Sequence, residues 1–153
     1  MTDAVAIFEN YAASKGYRFA YGHEEILQWE ITQKDLTGGE YLLLMFPFDE
    51  RGIVNTKVGM IGEWELSTQL WLGRKFDNTS TTGTGSSIDE TTKQKYDRRL
   101  LQIRQELATM IKDVFCTDSY EITAARIRRE INISNENLDF VVAEISFKDS
   151  DNV

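Results

Sequence analysis

Apolar residues recur at alternating steps of four and three along the middle of the chain, a spacing that places side chains on one stripe of an α-helix. The stripe consists of Tyr96, Leu100, Ile103, Leu107, Met110 and Val114, widened by Leu101, Ile111 and Phe115. Ser87 followed by Glu90 forms a capping box, which marks a helix start. The pattern predicts one long helix over about 87–115. The stripe is also nearly heptad, but several strands flank it, so packing on a sheet is favoured over a coiled-coil seam.

A second, shorter helix is predicted over 3–14, at the N-terminus of the chain. Its apolar face is formed by Val5, Phe8 and Ala12, joined by Ile7 and Tyr11. Asp3 is a suitable N-cap because its side chain can accept a hydrogen bond from an unpaired backbone N–H. Gly16 is a natural stop, since glycine readily takes the left-handed conformation that ends many helices.

Six segments show the two-residue alternation or the short apolar run of a β-strand. They cover residues 17–21, 25–32, 40–48, 63–76, 120–133 and 139–148. The segment 40–48 is apolar on both sides, which predicts a strand that is covered on both faces. The segment 63–76 alternates apolar with polar residues, so it should have one buried and one solvated face. Residues 49–62 contain three glycines and are interpreted as a loop with irregular extended structure.

The predicted strands stand in groups before and after the long helix instead of alternating with helices. This order predicts an α+β fold, in which a mostly antiparallel sheet of five or six strands packs against the long helix and the short N-terminal helix. A length of 153 residues predicts a single domain, 1–153. Residues 77–86 are rich in Ser, Thr, Gly and Asn and are predicted to form a flexible polar loop.

Gly83 and Gly85 lie just before the long helix, as glycines do in a phosphate-binding loop. The lysine of that motif is absent, and Asp89 and Glu90 at the helix start would repel an anion. Phosphate binding is therefore not expected at this loop.

The net charge of −8 is spread unevenly along the chain. Nine of the 17 basic residues lie between positions 93 and 129, whereas the segments on either side are acidic. Nucleic acid is not an expected partner, because phosphate contacts supply most of the affinity of nucleic-acid-binding proteins. The basic segment is interpreted either as a solvated helix face or as a surface that pairs with the acidic flanks of another copy.

The sequence also indicates in which cellular compartment the protein is found. No apolar run approaches the ~20 residues of a membrane-spanning helix, and residues 1–10 carry two acids and no base, unlike a signal peptide. The single cysteine, Cys116, excludes an intramolecular disulfide and a thiolate zinc cluster. These features predict a cytosolic protein that does not contact membranes.

Motifs for catalysis or metal binding are missing from the sequence. His23, the single histidine, follows Gly22 and is interpreted as a surface turn residue, and Cys116 as a structural residue at the end of the helical stripe. The carboxylate pairs are Glu24 with Glu25, Asp49 with Glu50, and Glu63 with Glu65. They have no further ligands at a metal-binding spacing, so they are interpreted as solvated acids. We expect no catalytic residue, no cofactor and no metal.

The three tryptophans are predicted to differ in their surroundings. Trp29 and Trp64 fall on the apolar sides of their strands and are predicted to lie in the core. Trp71 falls on the opposite side from Leu70 and Leu72. A large aromatic side chain at such a position belongs either to a contact with another chain or to a second core.

The order and size of the elements resemble those of the tail-terminator and head–tail joining (tail completion) proteins of tailed bacteriophages. The resemblance is carried by the strand 63–76 with the loop 77–86, the helix 87–115, and the closing strands 125–134 and 140–148. Members of that family are non-enzymatic α+β proteins that assemble into rings, commonly hexamers, which cap the tail tube and meet the head connector. The resemblance implies a structural protein of a phage or prophage. It would bind itself and other tail or connector proteins, in the cytoplasm of a bacterial host or in the virion.

The resemblance also implies that the polar loop and the outer face of the sheet contact neighbouring subunits. The interface candidates are Trp71, Asp77, Thr81, Thr82, Arg126 and Arg128. A heterologous ring needs two different complementary patches on each subunit. We hypothesise that the basic segment with Arg126 and Arg128 pairs with the acids around Asp49 and Glu63. Two other functions stay open: a small module that binds a protein or peptide, and an enzyme or ligand domain with a site of scattered residues.

Overall fold

The computed structural model describes residues 3–23, 40–47, 49–75, 100–115, 120–130 and 138–149. Within these ranges the chain forms two helices and one six-stranded sheet, which confirms the predicted mixed α+β fold. The elements are α1 (Ala4–Lys15), β1 (Arg18–Tyr21), β2 (Tyr41–Met45), β3 (Asp49–Asn55), β4 (Met60–Lys75), α2 (Leu101–Val114), β5 (Tyr120–Glu130) and β6 (Leu138–Asp149).

Helix α1 spans Ala4–Lys15, against the predicted 3–14, and its predicted N-cap Asp3 and stop at Gly16 are confirmed. The Asp3 side chain accepts a hydrogen bond from the Ala6 backbone N–H at 3.1 Å, so one of the unpaired donors at the helix start is satisfied. Gly16 ends the helix with a φ of 73°, in the left-handed region. The buried face of the helix consists of Ala4, Phe8 and Ala12, with Val5, Ile7 and Tyr11 partly buried beside it.

The sheet has the strand order β1-β2-β4-β6-β5, and β3 pairs with the first half of β4. Among the described strands, β1 and β2 pair in parallel and all other pairs are antiparallel, which confirms a mostly antiparallel sheet. Strands β1 and β5 stand at the two ends of this order, so the sheet is open. The central strand β4 is 16 residues long and pairs with β2, β3 and β6. The predicted strand 25–32 lies outside the described residues.

The interpretation of residues 49–62 as an irregular loop is wrong. Strand β3 and the start of β4 form an antiparallel hairpin, with register pairs from Asp49–Ser67 to Asn55–Met60. The Asn55 side chain accepts a hydrogen bond from the Lys57 N–H at 3.0 Å, and Gly59 takes a φ of 65° to close the turn. Both faces of β3 are largely exposed. The alternation of apolar and polar residues that identifies half-buried strands is therefore missing from its sequence.

Helix α2 is shorter than the predicted long helix. It spans Leu101–Val114, and the predicted residues 87–99, with Tyr96, lie outside the described residues. The described part of the predicted stripe is buried: Leu100, Ile103, Leu107, Met110 and Val114. These side chains belong to one core cluster with α1 and with residues of β2, β4 and β6 such as Leu43, Leu70 and Ala143. Packing of the stripe on the sheet, favoured by the sequence, is confirmed.

The two faces of the sheet carry separate clusters, which we call inner and outer. The inner face packs against both helices. The outer face has a smaller buried cluster of Ala20, Leu42, Leu44 and Phe140, with Phe46 and Trp71 packed against it. Strand β2 is thus buried on both sides, as its sequence predicts. The solvated side predicted for 63–76 is correct only in part, because Gly73 is buried and Trp71 is partly buried on the outer face.

Candidate functional site

An open groove of about 1100 Å³ crosses the outer face of the sheet. It runs from the end of β2 over β4 and β6 to β5, which places residues far apart in the sequence side by side. Its side chains include two aromatic residues, two arginines and two acids: Phe46, Trp71, Arg126, Arg128, Asp49 and Glu144. Apart from Pro47 and Ile145, the remaining lining is small or polar, notably Ser67, Gln69, Ala124 and Ser146.

The floor of the groove is a chain of polar contacts across three strands. The Trp71 indole N–H donates to Oε1 of Gln69 at 3.3 Å, and Nε2 of Gln69 donates to Oε1 of Glu144 at 3.5 Å. Nε of Arg128 lies 3.8 Å from the same Glu144 oxygen. Gln69 stands directly opposite Glu144, whereas Arg128 stands opposite Val142 and reaches Glu144 diagonally. Trp71, Gln69, Glu144 and Arg128 therefore each have a partner within the groove.

One wall of the groove is aromatic. The rings of Phe46 and Trp71 lie 5.2 Å apart between centroids, and Trp71 meets Phe140 edge-on at 5.9 Å. The backbone N–H of Phe46 donates to the Gln69 carbonyl at 3.0 Å, which holds this wall against β4. Trp71 thus belongs to the second core of the sheet and also borders the groove. The sequence leaves two surroundings open for Trp71, a contact with another chain or a second core. The structure shows the second core.

The groove brings together three of the predicted interface residues, Trp71, Arg126 and Arg128. The other three, Asp77, Thr81 and Thr82, lie outside the described residues, as does the loop 77–86. The two acidic positions expected to pair with Arg126 and Arg128 lie in different places. Asp49 lines the same groove as the two arginines, whereas Glu63 lies at the hairpin, 3.1 Å from Nζ of Lys148.

The hairpin of β3 and β4 presents an exposed apolar surface that the sequence pattern does not reveal. Four large side chains on it are exposed, Val54 by 54%, Val58 by 65%, Met60 by 68% and Ile61 by 50%. We call residues 54–61 the hairpin tip. In the described sheet, β6 pairs with β4 only from Trp64 onward, so the tip extends about 13 Å beyond it.

Those residues considered for catalysis that the structure describes have ordinary surroundings. His23 is exposed, which confirms its predicted surface position, and it borders the groove. Glu65 accepts a hydrogen bond from the Thr123 hydroxyl at 2.9 Å and lies 3.4 Å from Arg51. Cys116, Glu24, Glu25 and Trp29 lie outside the described residues. In the described ranges, no group of three or more His, Cys, Asp or Glu side chains is placed to hold a metal ion.

Tyrosine hydroxyls of α1 and of the connection between α1 and β1 bond to helix α2. The Tyr17 hydroxyl donates to Oε2 of Glu106 at 2.5 Å, and the Tyr11 hydroxyl donates to Oδ2 of Asp113 at 3.3 Å. Burial, with the neighbouring Asp113 carboxylate, raises the pKa of Tyr11 to about 12. Burial and then the hydrogen bond to Glu106 raise the pKa of Tyr17 far above its usual value near 10.

These raised pKa values predict that the protein loses stability in alkali. The folded state holds the two phenol protons more tightly than the unfolded state does. Their contribution to the free energy of unfolding is therefore fully present below about pH 10 and is lost as the pH rises toward the folded pKa values. We expect urea midpoints to fall between pH 9 and pH 11, and to fall less in Tyr17→Phe than in the wild type. Tyr21→Phe, at an exposed tyrosine, serves as the control. An equal fall in Tyr17→Phe and the wild type contradicts the prediction.

No protein-family model matches the chain, and no curated protein sequence is significantly similar to it. No helix in the described ranges is long and apolar enough to cross a membrane.

Proposed function

We propose that the protein is a non-enzymatic structural protein that assembles with copies of itself, as a ring at the tail end or head–tail junction of a phage or prophage. The single observation that carries the self-assembly is the exposed apolar tip of the β3–β4 hairpin. The phage setting rests on the resemblance in element order. The other partners in this proposal are tail or connector proteins.

The hairpin tip supports association because its apolar surface is concentrated. Five large hydrophobic side chains are exposed in the described part of the chain, and four of them lie within residues 54–61. Scattered exposed apolar residues are normal in a soluble protein, whereas a contiguous cluster marks a contact surface. Burial of apolar surface against a partner contributes roughly 25 cal/mol per Å² before the costs of association are subtracted.

The groove supports a role in contact more than one in catalysis. A catalytic site needs a nucleophile, acid or base that is free to act on a substrate. In the groove floor, Gln69 and Glu144 are joined to each other and to Trp71 and Arg128. The hydroxyls of Ser67 and Ser146 likewise bond to each other at 2.8 Å. Such a satisfied ladder suits a surface of fixed shape.

The test is absolute mass in solution, by light scattering after size exclusion, over a range of protein and salt concentrations. A species of hexamer size, or a monomer that converts to one at high concentration, is the expected result. A strict monomer at every concentration contradicts self-assembly of the isolated chain.

The second candidate is a small module that binds a protein or peptide, and the groove is the observation that favours it. An open groove with an aromatic wall and charged residues can hold an extended segment whose side chains match it. A strict monomer that retains one defined phage or host protein from a panel of purified candidates would favour this function.

The charges of the groove give a further prediction. Reversing charge in the double variant Arg126→Glu, Arg128→Glu should weaken assembly about tenfold in low salt and less in high salt, because salt screens exposed charges. Light scattering at two ionic strengths measures the effect. Arg18→Glu, on the far edge strand β1, is the matched control and should assemble as the wild type does. An unchanged oligomer mass in the double variant counts against a role for these arginines.

A further inference from the structure

We propose that the hairpin tip of one copy docks into the outer groove of the next copy, so that tip and groove are the two complementary patches of a heterologous contact. This inference rests on the proposed function, since it names the partner of the groove as a second copy of the chain.

The tip cannot reach the groove of its own chain. Asp49, at the start of β3, lines the groove, and Asn55 stands six residues further along an extended strand, about 20 Å away. Strand β3 stays paired with β4 from Asp49 to Asn55, with one register shift between Ile53 and Val54, so the hairpin holds the tip away from the groove. The tip and the groove can therefore contact each other only between two molecules.

The chemistry of the tip matches that of the groove. Met60 and Val58 at the tip are apolar and exposed, and the groove offers the aromatic wall of Phe46 and Trp71. Glu144 of the groove is already paired with Arg128 and Gln69, so the match between tip and groove lies in their apolar side chains. Apolar anchors surrounded by paired charges are typical of protein–protein contacts.

The geometry of this contact predicts that more than two copies associate in a row. Tip and groove are different surfaces, so a copy that gives its tip to one neighbour still offers its groove to another. Successive contacts related by the same rotation close into a ring when the rotation divides a full turn. A symmetric contact of tip with tip would stop at a dimer instead.

The experiment uses one variant with a defective tip and one with a defective groove. Met60→Asp places a charge at the exposed tip, and Ala124→Arg places a long charged side chain in the groove at an exposed position. Each variant alone should associate at least about tenfold more weakly than the wild type, the effect of losing one interface anchor. Mixed in equal amounts, they should form a dimer and nothing larger, because only one intact tip and one intact groove can meet.

Matched controls use Asn10, which is exposed on α1, the helix that packs on the inner face. Asn10→Asp and Asn10→Arg make the same changes of charge and should assemble as the wild type does. Thermal unfolding of every variant shows that it is folded, and Val58→Asp is a second tip variant should Met60→Asp unfold.

The outcomes separate this inference from the proposed function. A mixture that stays monomeric while the wild type assembles overturns the docking of tip into groove and leaves self-assembly standing. Wild-type assembly by Met60→Asp alone overturns it in the same way. A wild type that is monomeric at all concentrations overturns the proposed self-assembly, and the inference with it.

Discussion

Replacement of Gly73 by alanine should destabilise the fold by about 3 kcal/mol, and replacement by valine by more. Gly73 stands directly opposite Phe140 across β4 and β6, and a Cβ at this position would lie 2.4 Å from the ring. Phe140 is fully buried in the outer cluster, so its ring has little room to move. Overpacking of this kind costs typically 1–3 kcal/mol and occasionally more, a large share of the roughly 5–15 kcal/mol that stabilises a domain.

Urea unfolding of Gly73→Ala and Gly62→Ala measures the effect against a control in the same strand. A Cβ at Gly62 meets nothing within 4 Å, so this variant should be neutral or slightly more stable. The double variant Gly73→Ala, Phe140→Leu should lose less stability than the sum of its single changes, because leucine leaves space for the added methyl group. Strict additivity would show that the contact between Gly73 and the ring does not set the cost.

Replacement of Leu107 by alanine should cost about 2–5 kcal/mol, the range for a fully buried leucine. Leu107 lies in the middle of the α2 stripe and belongs to the inner cluster shared with α1 and the sheet. Truncation removes apolar contacts and leaves a cavity between helix and sheet. Gln105→Ala, two residues away on the exposed side, should change the free energy of unfolding by less than about 0.5 kcal/mol.

The dependence of this loss on protein concentration tests how the stripe packs. A stripe that packs on its own sheet gives the same loss in urea midpoint at every concentration. A coiled-coil seam between copies would give a loss that shrinks as dissociation becomes complete. Urea titrations at two protein concentrations, a hundredfold apart, separate the two.

Much of the fold could be predicted because its signals are local. The α2 stripe and the caps of α1 each depend on residues within a few helical turns. In β2, five consecutive apolar residues are enough to predict burial on both faces. Strand β3 could not be found this way. Its residues are exposed on both faces, so burial leaves no periodic trace, and the turn at Asn55 and Gly59 is the only local signal.

The groove depends on information that the sequence does not display. Gln69, Glu144 and Arg128 meet only because β4, β6 and β5 are adjacent at one particular register. A shift of one residue would move each side chain to the other face. The alternation of residues around Trp71 predicts its face of β4, but its neighbours are distant in sequence: Phe46 follows β2 and Phe140 lies in β6.

The continuity of β4 limits how this protein can change during evolution. One strand carries the tip, the groove floor and the glycine under Phe140, and it is in register with β3 at the tip and with β6 and β2 further along. An insertion or deletion of one residue between Ile61 and Gly73 would move every side chain on one side of the change to the opposite face of the sheet. Within the β3–β4 hairpin, length can vary safely only at the turn, residues 56–59, and there in steps that add equally to both strands. Descendants of this chain should therefore differ in the reach of the hairpin while the sheet beneath it keeps its length.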